Sequence, residues 1–492
     1  MPTGPFLGEH AIVIGGSVSG ILAARVLSDH FERVSVVERD FLNARPIGRK
    51  GTPQARHFHL LLAAGAAVVR DLFPELAADM PAAGAIPVDS AKDLRWFHFG
   101  VWKARVESGI TLYLCNRMVL ETAMRAELRR RANVEIVDDC DVVGLICEDQ
   151  RITGIRCQRK GQEEGEAEAL HADLVVDASG RGTRSPRWLA DVGLPRVRES
   201  EVRVNVGYAS RVYRMPRSFP SERLPLAVFP KPPESGRLGV MVSVDGGVLM
   251  VTLGGVCRDY PPTNNEGFVE FARSLPIDEF SILLNEAKPA PAIHGYQVPS
   301  NLRRHYDRMP GYPDGYLVVG DALCSFNPIY GQGMSAAALQ VQAIQRALGR
   351  LRASGRSLRA RGLGRRIQRQ VARTLSLPWL LATAEDFRFA GVTGPRPFGL
   401  PIIQWYVSHI LQLSATHPEI ARRFVRVLNL LAGPTILFTP SIVFAVLWHT
   451  IRGRPNARLA MRGPLGEPPL PDLRPLADDE GEHLETGERP SA

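Results

Sequence analysis

The sequence predicts an α/β fold: a domain opening on a βαβ unit, interleaved with an antiparallel-sheet domain and followed by a helical C-terminal region. Three observations predict it. A short apolar segment, His10–Ile14, runs straight into the glycine turn Gly15-Gly16-Ser17-Val18-Ser19-Gly20, with a helical pattern behind it. Far downstream a second apolar segment, Tyr316–Val319, enters another glycine-rich loop, Gly320–Gly333, ahead of a long helix. Between the two, from Glu199 to Pro310, residues alternate with period two, as in Val202-Arg203-Val204-Asn205-Val206 and Gly239–Val244.

The remaining elements follow in order. The helix after the first turn is expected from Ile21 to about His30, and Val34–Val37 is a second strand ending in Glu38. Arg45 to His59 is a basic loop broken by glycine and proline, before a helix near Leu60–Leu72. Asn116–Ala132 is a helix, and strands follow near Val134–Val137, Val142–Cys147 and Ile155–Gln158. Arg159–Glu168 is a hairpin tip, and Ala172–Asp177 a buried strand running into Ala178-Ser179-Gly180-Arg181-Gly182. Beyond Gln345 the chain is mostly helical, and from Gly466 onward it is acidic, proline-rich and expected to be disordered.

A chain of 492 residues needs more than one core. Its 45% apolar and 23% charged residues are those of an ordinary globular protein. The six cysteines show no CxxC pair and no zinc-ligand spacing, so no metal site is expected and a reducing cytoplasm is. MPTGPFLGEHAIVIGG has no basic n-region and reads as a buried strand rather than a signal peptide. Ten arginines and no acid lie between Arg346 and Arg373, enough to account for the net charge of +9. Two readings stand for this 346–373 segment: a solvated helix face, or a docking face for an anionic membrane or an acidic carrier protein. No zinc finger, helix-turn-helix or RNP pattern points to nucleic acid.

The first glycine turn is a variant of G-x-G-x-x-G. Gly15 turns the chain after the strand, and Gly20 lets the helix pack close to the sheet. Ser17 holds the place of the second glycine, so Gly16 and the small Ser17 must let backbone approach a pyrophosphate. The helix N-terminus presents free N–H groups to the phosphates. Glu38 closes the second strand, 23 residues after Gly15, suitably placed for ribose hydroxyls. An acid there disfavours a 2′-phosphate, which leaves FAD or NAD rather than NADP. The second motif favours FAD. A strand ending in Gly320-Asp321 puts a carboxylate where it can bond a polyol chain. Gly331-Gln332-Gly333-Met334-Ser335 then offers N–H groups at a helix start, which suits the N1–C2=O edge of a reduced flavin. Pro328 is rigid and can face the isoalloxazine ring without a competing donor.

Together the glycine turn, Glu38, Asp177–Gly182 and Gly320–Ser335 resemble the FAD-dependent monooxygenase superfamily of aromatic hydroxylases and squalene epoxidase, over Ala11 to Ala347. Gly331-Gln332-Gly333-Met334-Ser335 is closer to the epoxidases' Gly-x-Gly-Met-Thr/Ser than to the hydroxylases' Gly-Leu-Asn. Arg49-Lys50-Gly51-Thr52-Pro53-Gln54-Ala55-Arg56-His57 and Phe326-Asn327-Pro328-Ile329-Tyr330-Gly331 are similar to bacterial polyether-type polyene epoxidases. The resemblance implies a Rossmann-like FAD-binding domain interleaved with an antiparallel substrate domain. Residues 1–90 would hold the ADP half of FAD, 91–115 contribute substrate-domain strands, and 116–198 continue the FAD domain. Residues 199–310 would be the substrate sheet, 311–347 the flavin-proximal loop and helix, 348–465 the helical region and 466–492 the tail.

The cofactor set expected is Gly15, Gly16, Ser17, Ser19, Gly20, Glu38, Arg39, Arg49, Lys50, Gln54, Asp321, Pro328, Gly331, Gly333 and Met334. The resemblance adds Arg117 at the pyrophosphate and Val142 at the adenine, and implies that Pro328, Gly331 and Gly333 lie nearest the flavin. In the loop, Arg45, Arg49, Lys50, Arg56, His57 and His59 either solvate a surface or supply cationic partners, with His57 a candidate for covalent flavin attachment. The hydroxylases' Asp-Gly motif reads Asp177-Ala178-Ser179-Gly180-Arg181 here, which points to NADPH or NADH acting through a separate flavin reductase. The halogenases' Trp-x-Trp-x-Ile segment is absent, since Trp96 and Trp102 are spaced differently.

The implied reaction transfers one oxygen atom of O₂, from a flavin C4a-hydroperoxide, to an apolar and alkene-bearing small molecule. It needs no acid/base pair or nucleophile triad, and none is evident. The rivals are a flavin reductase of prenyl double bonds and a non-catalytic FAD-binding protein. Val427–Ile451 carries no charge with His449 neutral, but Asn429, Gly433, Pro434 and Pro440 interrupt it. Two short helices roofing the substrate cavity are expected there, with a monotopic anchor behind Arg422, Arg423 and Arg426 as the alternative.

Overall fold

An apolar run such as His10–Ile14 must bury both faces, and parallel strands on either side allow that. The computed structural model describes residues 6–80, 85–161, 167–215, 223–244 and 248–452. The tail expected from Gly466 and the centre of the expected hairpin tip, residues 162–166, lie outside the described residues.

The chain opens with β1 (Gly8–Ile14), α1 (Val18–Leu27) and β2 (Phe31–Val37), then α2 (Ala63–Leu72) and α3 (Pro74–Asp79). Four short strands follow: β3 (Ile86–Asp89), β4 (Arg95–His98), β5 (Val101–Trp102) and β6 (Thr111–Leu114). After α4 (Arg117–Arg129) come β7 (Val134–Val137), β8 (Cys140–Glu148), β9 (Arg151–Arg159), β10 (Glu168–His171), β11 (Leu174–Asp177) and α5 (Ser185–Asp191). The alternating region forms β12 (Glu199–Arg214), β13 (Leu226–Val228), β14 (Arg237–Val244) and β15 (Val248–Gly255). It continues through α6 (Asn265–Arg273), α7 (Glu279–Glu286), β16 (Lys288–Pro289) and β17 (His294–Arg304). Then come β18 (Tyr316–Val318), β19 (Cys324–Ser325) and the long α8 (Gly333–Ala353). The helices α9 (Leu363–Arg373), α10 (Ser376–Asp386), α11 (Leu400–Leu413), α12 (Pro418–Leu428) and α13 (Pro440–Arg452) complete the described chain.

The first sheet is wholly parallel, in the order β18-β11-β1-β2-β7, so β1 lies in the middle. Its register pairs Ala11 with both Val34 and Leu174. The second sheet runs β19-β17-β12-β15-β14-β13-β4-β5, with β16 on β12. All its pairs are antiparallel except β13 with β4. The 91–115 segment supplies β4 and β5 to this sheet, whereas its β6 pairs with β3, which begins earlier at Ile86. Period-two alternation explains the sheet's two faces. Ala209 and Tyr213 of β12, with Leu249, Val251 and Leu253 of β15, pack on Phe268, Phe271 and Phe280 of α6 and α7. Tyr208, Ser210 and Thr252 point to the opposite face.

Two expectations need correction. The first helix begins at Val18 rather than Ile21, because Ser17 takes the N-cap position directly behind the glycine turn. The run Val427–Ile451 holds one helix rather than two. α12 stops at Leu428, Pro434–Leu437 is a single 3-10 turn, and α13 spans the rest. Pro440 does not break that helix: it is its first residue, where the missing N–H is harmless. Ile442 and Val446 bury against Tyr406 and Ile410 of α11 and Phe424 of α12, with Trp96 and Phe99 from the sheet closing the cluster. Among the described residues no helix is long and apolar enough to cross a membrane.

Candidate functional site

The two glycine loops meet at the carboxyl ends of β1 and β18, the edge where open parallel sheets bind ligands. Gly15 has φ 101°, a conformation open to glycine, and a Cβ at Gly20 would stand 1.7 Å from the Gly15 carbonyl oxygen. Gly320 (φ 63°) touches α1 from the other side: a Cβ there would lie 2.3 Å from Ser19 Oγ. Thus both motifs form one site, and Ser19 is a packing contact within it.

The acid at the end of β2 is buried and tightly held. Glu38 accepts from Gly16 N–H (2.7 Å), Asp40 N–H (3.0 Å) and Arg49 Nη1 (3.0 Å). Arg49 also donates to Glu121 Oε1 (2.5 Å), while Ser17 Oγ donates to Glu121 Oε2 (2.9 Å). Arg117 and Arg125 flank Glu121 at 3.8 and 3.7 Å. Burial works against the Arg49 charge, but Glu121 and Glu38 override it and raise its pKa. Sequence reasoning missed Glu121. The available signal was the i, i+4 spacing of Arg117, Glu121 and Arg125 on the helix after the Asn116 cap. A cavity of about 170 Å³ adjoins the cluster, bounded by Leu42, Ile47, Arg49, Met118, Glu121 and Arg125.

Arg117 donates to Ser17 Oγ (3.2 Å) and meets His59 Nε2 (3.2 Å), while its buried Nε has no hydrogen-bond partner. Val142 is buried in β8, which starts beside Glu38 through the Cys140 N–H to Glu38 carbonyl bond (3.0 Å). Arg39 is exposed, and Lys50 is exposed with no bond among the described residues. Gln54 is half-buried in the 3-10 turn Pro53–Arg56. Asp177 is saturated, accepting from Ser179, Thr183 and Ser185, so its carboxylate has no capacity left for a ligand.

At the second loop, Asp321 makes no hydrogen bond among the described residues. Burial raises its pKa, opposed by the charges of Arg117 and Arg181. Pro328, Gly331 and Gly333 are half-buried, and Met334 follows them in the first turn of α8. Cβ atoms at Gly331 and Gly333 would meet nothing nearer than 3.7 Å (Leu60 Cβ) and 3.8 Å (Asp321 Oδ1), so their backbone is open to a ligand. Gln332 Oε1 is a further buried acceptor without a partner.

From the basic loop, His57 is buried with Nδ1 at 2.8 Å from Ser210 Oγ, which lies 2.7 Å from Thr252 Oγ1. Its ring stands edge-on to Tyr208, centroids 4.5 Å apart. Burial, with the charges of His294 and Arg56, pushes its pKa down to about 3. The loop therefore turns inward at His57 and joins the face of the second sheet opposite α6 and α7.

This donor set fits FAD. Among the described residues the Asp321 carboxylate, Gln332 Oε1 and Arg117 Nε make no hydrogen bond, the N-termini of α1 and α8 follow the two glycine loops, and the glycines keep the backbone there clear of side chains. The fold is shared with solved flavin-dependent monooxygenases and halogenases. The flavin-dependent brominase Bmp2 superposes with a TM-score of 0.60 at 14% identity, covering 90% of this chain and 99% of that one. p-Nitrophenol 4-monooxygenase PnpA from Pseudomonas putida DLL-E4 superposes with a TM-score of 0.59 at 17% identity, covering 86% and 99%. No family model matches the sequence. Protein Rv3254 of Mycobacterium tuberculosis is 33% identical over 467 residues, 90% of this chain and 94% of that protein. The chain belongs to the family of Protein Rv3254.

Two outcomes follow from this geometry. Replacing Asp321 by Asn removes a desolvated charge that lacks a partner, so the apoprotein should be as stable as the parent or more so. FAD affinity should nonetheless fall at least about tenfold, roughly 1.4 kcal/mol. Denaturant titration and flavin-fluorescence quenching measure the two, and full affinity in a stable variant contradicts the placement of the loop. For His57, the folded pKa lies below the ordinary 6.5, so neutral His57 contributes stability above that value that is lost as pH falls. Between pH 7 and 5 the loss is about 2 kcal/mol. Urea midpoints of His57→Asn should show a correspondingly shallower slope over that interval, and an unchanged slope refutes the burial argument.

Proposed function

We propose that the chain is an FAD-dependent monooxygenase that transfers one oxygen atom of O₂ to an apolar, alkene-bearing small molecule by epoxidation or hydroxylation. The observation that carries the proposal is Asp321, a carboxylate without a hydrogen bond at the junction of the two glycine loops. FAD supplies the oxygen-activating and electron-carrying chemistry when bound. The chain's own residues bind and orient: Glu38 takes the ribose hydroxyls, and Gly15, Gly16, Ser17 and Arg117 take the pyrophosphate. Asp321 takes the ribityl chain, Val142 lies against adenine, and Pro328, Gly331, Gly333 and Met334 border the ring. Arg39, Arg49, Lys50 and Gln54 tune the ADP half from the basic loop.

An apolar substrate is supported by the apolar cluster that Leu60, the side chain nearest a Cβ at Gly331, joins. Phe58 and Leu60 pack there with Ile110, Leu112, Val240, Val242 and Met250. An apolar wall of this kind suits a hydrocarbon and excludes water. The Gly331–Ser335 sequence favours the epoxidase branch, with polyether-type polyene epoxidases as the nearest pattern. Electrons from NADPH or NADH would arrive through a separate flavin reductase, in keeping with the saturated Asp177. The test is a single turnover of chemically reduced protein with ¹⁸O₂ and an apolar alkene. One ¹⁸O atom in the product, with slow direct reduction by NADPH, is expected. Anaerobic saturation of the double bond instead establishes a prenyl-type reductase, and inertness in both a non-catalytic flavoprotein.

A peripheral membrane contact is part of the proposal, and the C-terminal helices support it. Phe398, Ile402 and Trp405 at α11, and Phe444, Leu447, Trp448 and Ile451 on α13, are exposed. The Arg452 guanidinium lies 4.3 Å from the Trp448 ring centre. From Phe387 to Arg452 there are six arginines and one acid, Glu419. Large apolar residues beside tryptophans and arginines suit an anionic lipid surface. The 346–373 arginines are weaker support for a membrane or carrier protein, because Arg350, Arg352, Arg359 and Arg369 bond groups of their own chain. Co-sedimentation with phosphatidylglycerol vesicles, and its loss in Trp448→Ser/Ile451→Ser, is expected; binding that survives this substitution removes α13 from the contact.

A further inference from the structure

The turn Asn327–Gly331 carries the residues proposed to border the flavin, and it is held from outside its own motif. Asp386, the last residue of α10, is fully buried and, among the described residues, has no cation within bonding distance. Its Oδ1 accepts from Asn327 Nδ2 (2.8 Å) and Tyr330 OH (2.8 Å), and its Oδ2 from Asn301 Nδ2 (2.5 Å). Asn301, on β17, in turn accepts from the Asn327 N–H (2.6 Å). Asn327 Oδ1 accepts from Ile329 N–H (3.1 Å), capping the Pro328–Tyr330 turn. Gly331 then leaves the turn at φ 64°. Three donors therefore converge on one carboxylate, from the substrate sheet, from the start of the turn and from its end. A buried carboxylate is expensive without compensation, so its retention at this junction needs a reason that an apolar residue would not satisfy. Burial pushes its pKa up to about 6 while the three hydrogen bonds pull it down.

We infer that Asp386 is a positioning residue that braces the Asn327–Gly331 turn against the substrate sheet, fixing the distance between the cofactor-facing loop and the surface on which substrate lies. The inference rests on the FAD reading for its purpose but not for its geometry. It also assigns the C-terminal helical region a part in the flavin site, since α10 lies beyond Ala347, where the sequence motifs that resemble known flavoproteins end.

The test uses the full-length protein and Asp386→Asn, which keeps the shape but turns an amide N–H₂ toward donors. Hydrogen–deuterium exchange of the apoprotein should rise at least tenfold across residues 327–333. FAD should bind at least tenfold more weakly, and its visible band should lose vibrational fine structure as the ring becomes mobile. Tyr330→Phe, which removes one bond only, should shift each readout in the same direction by less. It decides the question by the same measurements if the Asp386 variant does not fold. Exchange that rises without any change in FAD affinity or spectrum reduces Asp386 to a structural part and overturns the inference. So does exchange and affinity within twofold of the parent. If the parent binds no FAD while exchange rises as stated, the brace stands and the flavin reading fails.

Discussion

The contact between Gly20 and the carbonyl of Gly15 is the constraint on which the cofactor half depends. No side chain fits between the first turn of α1 and the strand end it caps, since even a methyl carbon would lie 1.7 Å from that oxygen. Because α1 sits this low, its N-terminal N–H groups open onto the sheet edge, and Ser19 comes within reach of Gly320. The second loop thereby shares a wall with the first. Remove the close approach and the two motifs, separated by most of the chain, no longer define one recess.

Around that recess the charges are arranged in a ladder of alternating sign. Glu38 and Glu121 hold Arg49 between them, and Glu121 also tethers Ser17 and faces Arg117 and Arg125. Such a buried network is stable only while each member keeps its partners. Most of its polar atoms are satisfied internally, whereas Arg117 Nε, Gln332 Oε1 and the Asp321 carboxylate are not.

The parts of this arrangement legible in the sequence are those with local causes. A strand running into glycines, a helix behind them and an acid closing the next strand are all short-range patterns, and β1, β2 and α8 formed where they predicted, with α1 starting one turn earlier. Alternation marked β12 and β14 for the same reason. Glu121 was missed although its neighbours at i±4 announced an ion cluster, because its partners Ser17 and Arg49 come from distant loops. Asp386 had no local signature at all: its meaning arises only when α10, β17 and the Asn327 turn meet. Pro440 does interrupt the run, but as the start of α13, since a proline at the first position of a helix opens one.

FAD binding in the recess between the two loops is the claim on which everything else rests. Titrating ligand-free protein with FAD, FMN and NAD, followed by flavin-fluorescence quenching or calorimetry, tests it most directly. The account predicts one tight site per chain for FAD, much weaker FMN binding because Glu38 and Arg117 would lack an ADP half to hold, and no competition by NAD. A protein that binds FMN or NAD tightly and FAD not at all would contradict it.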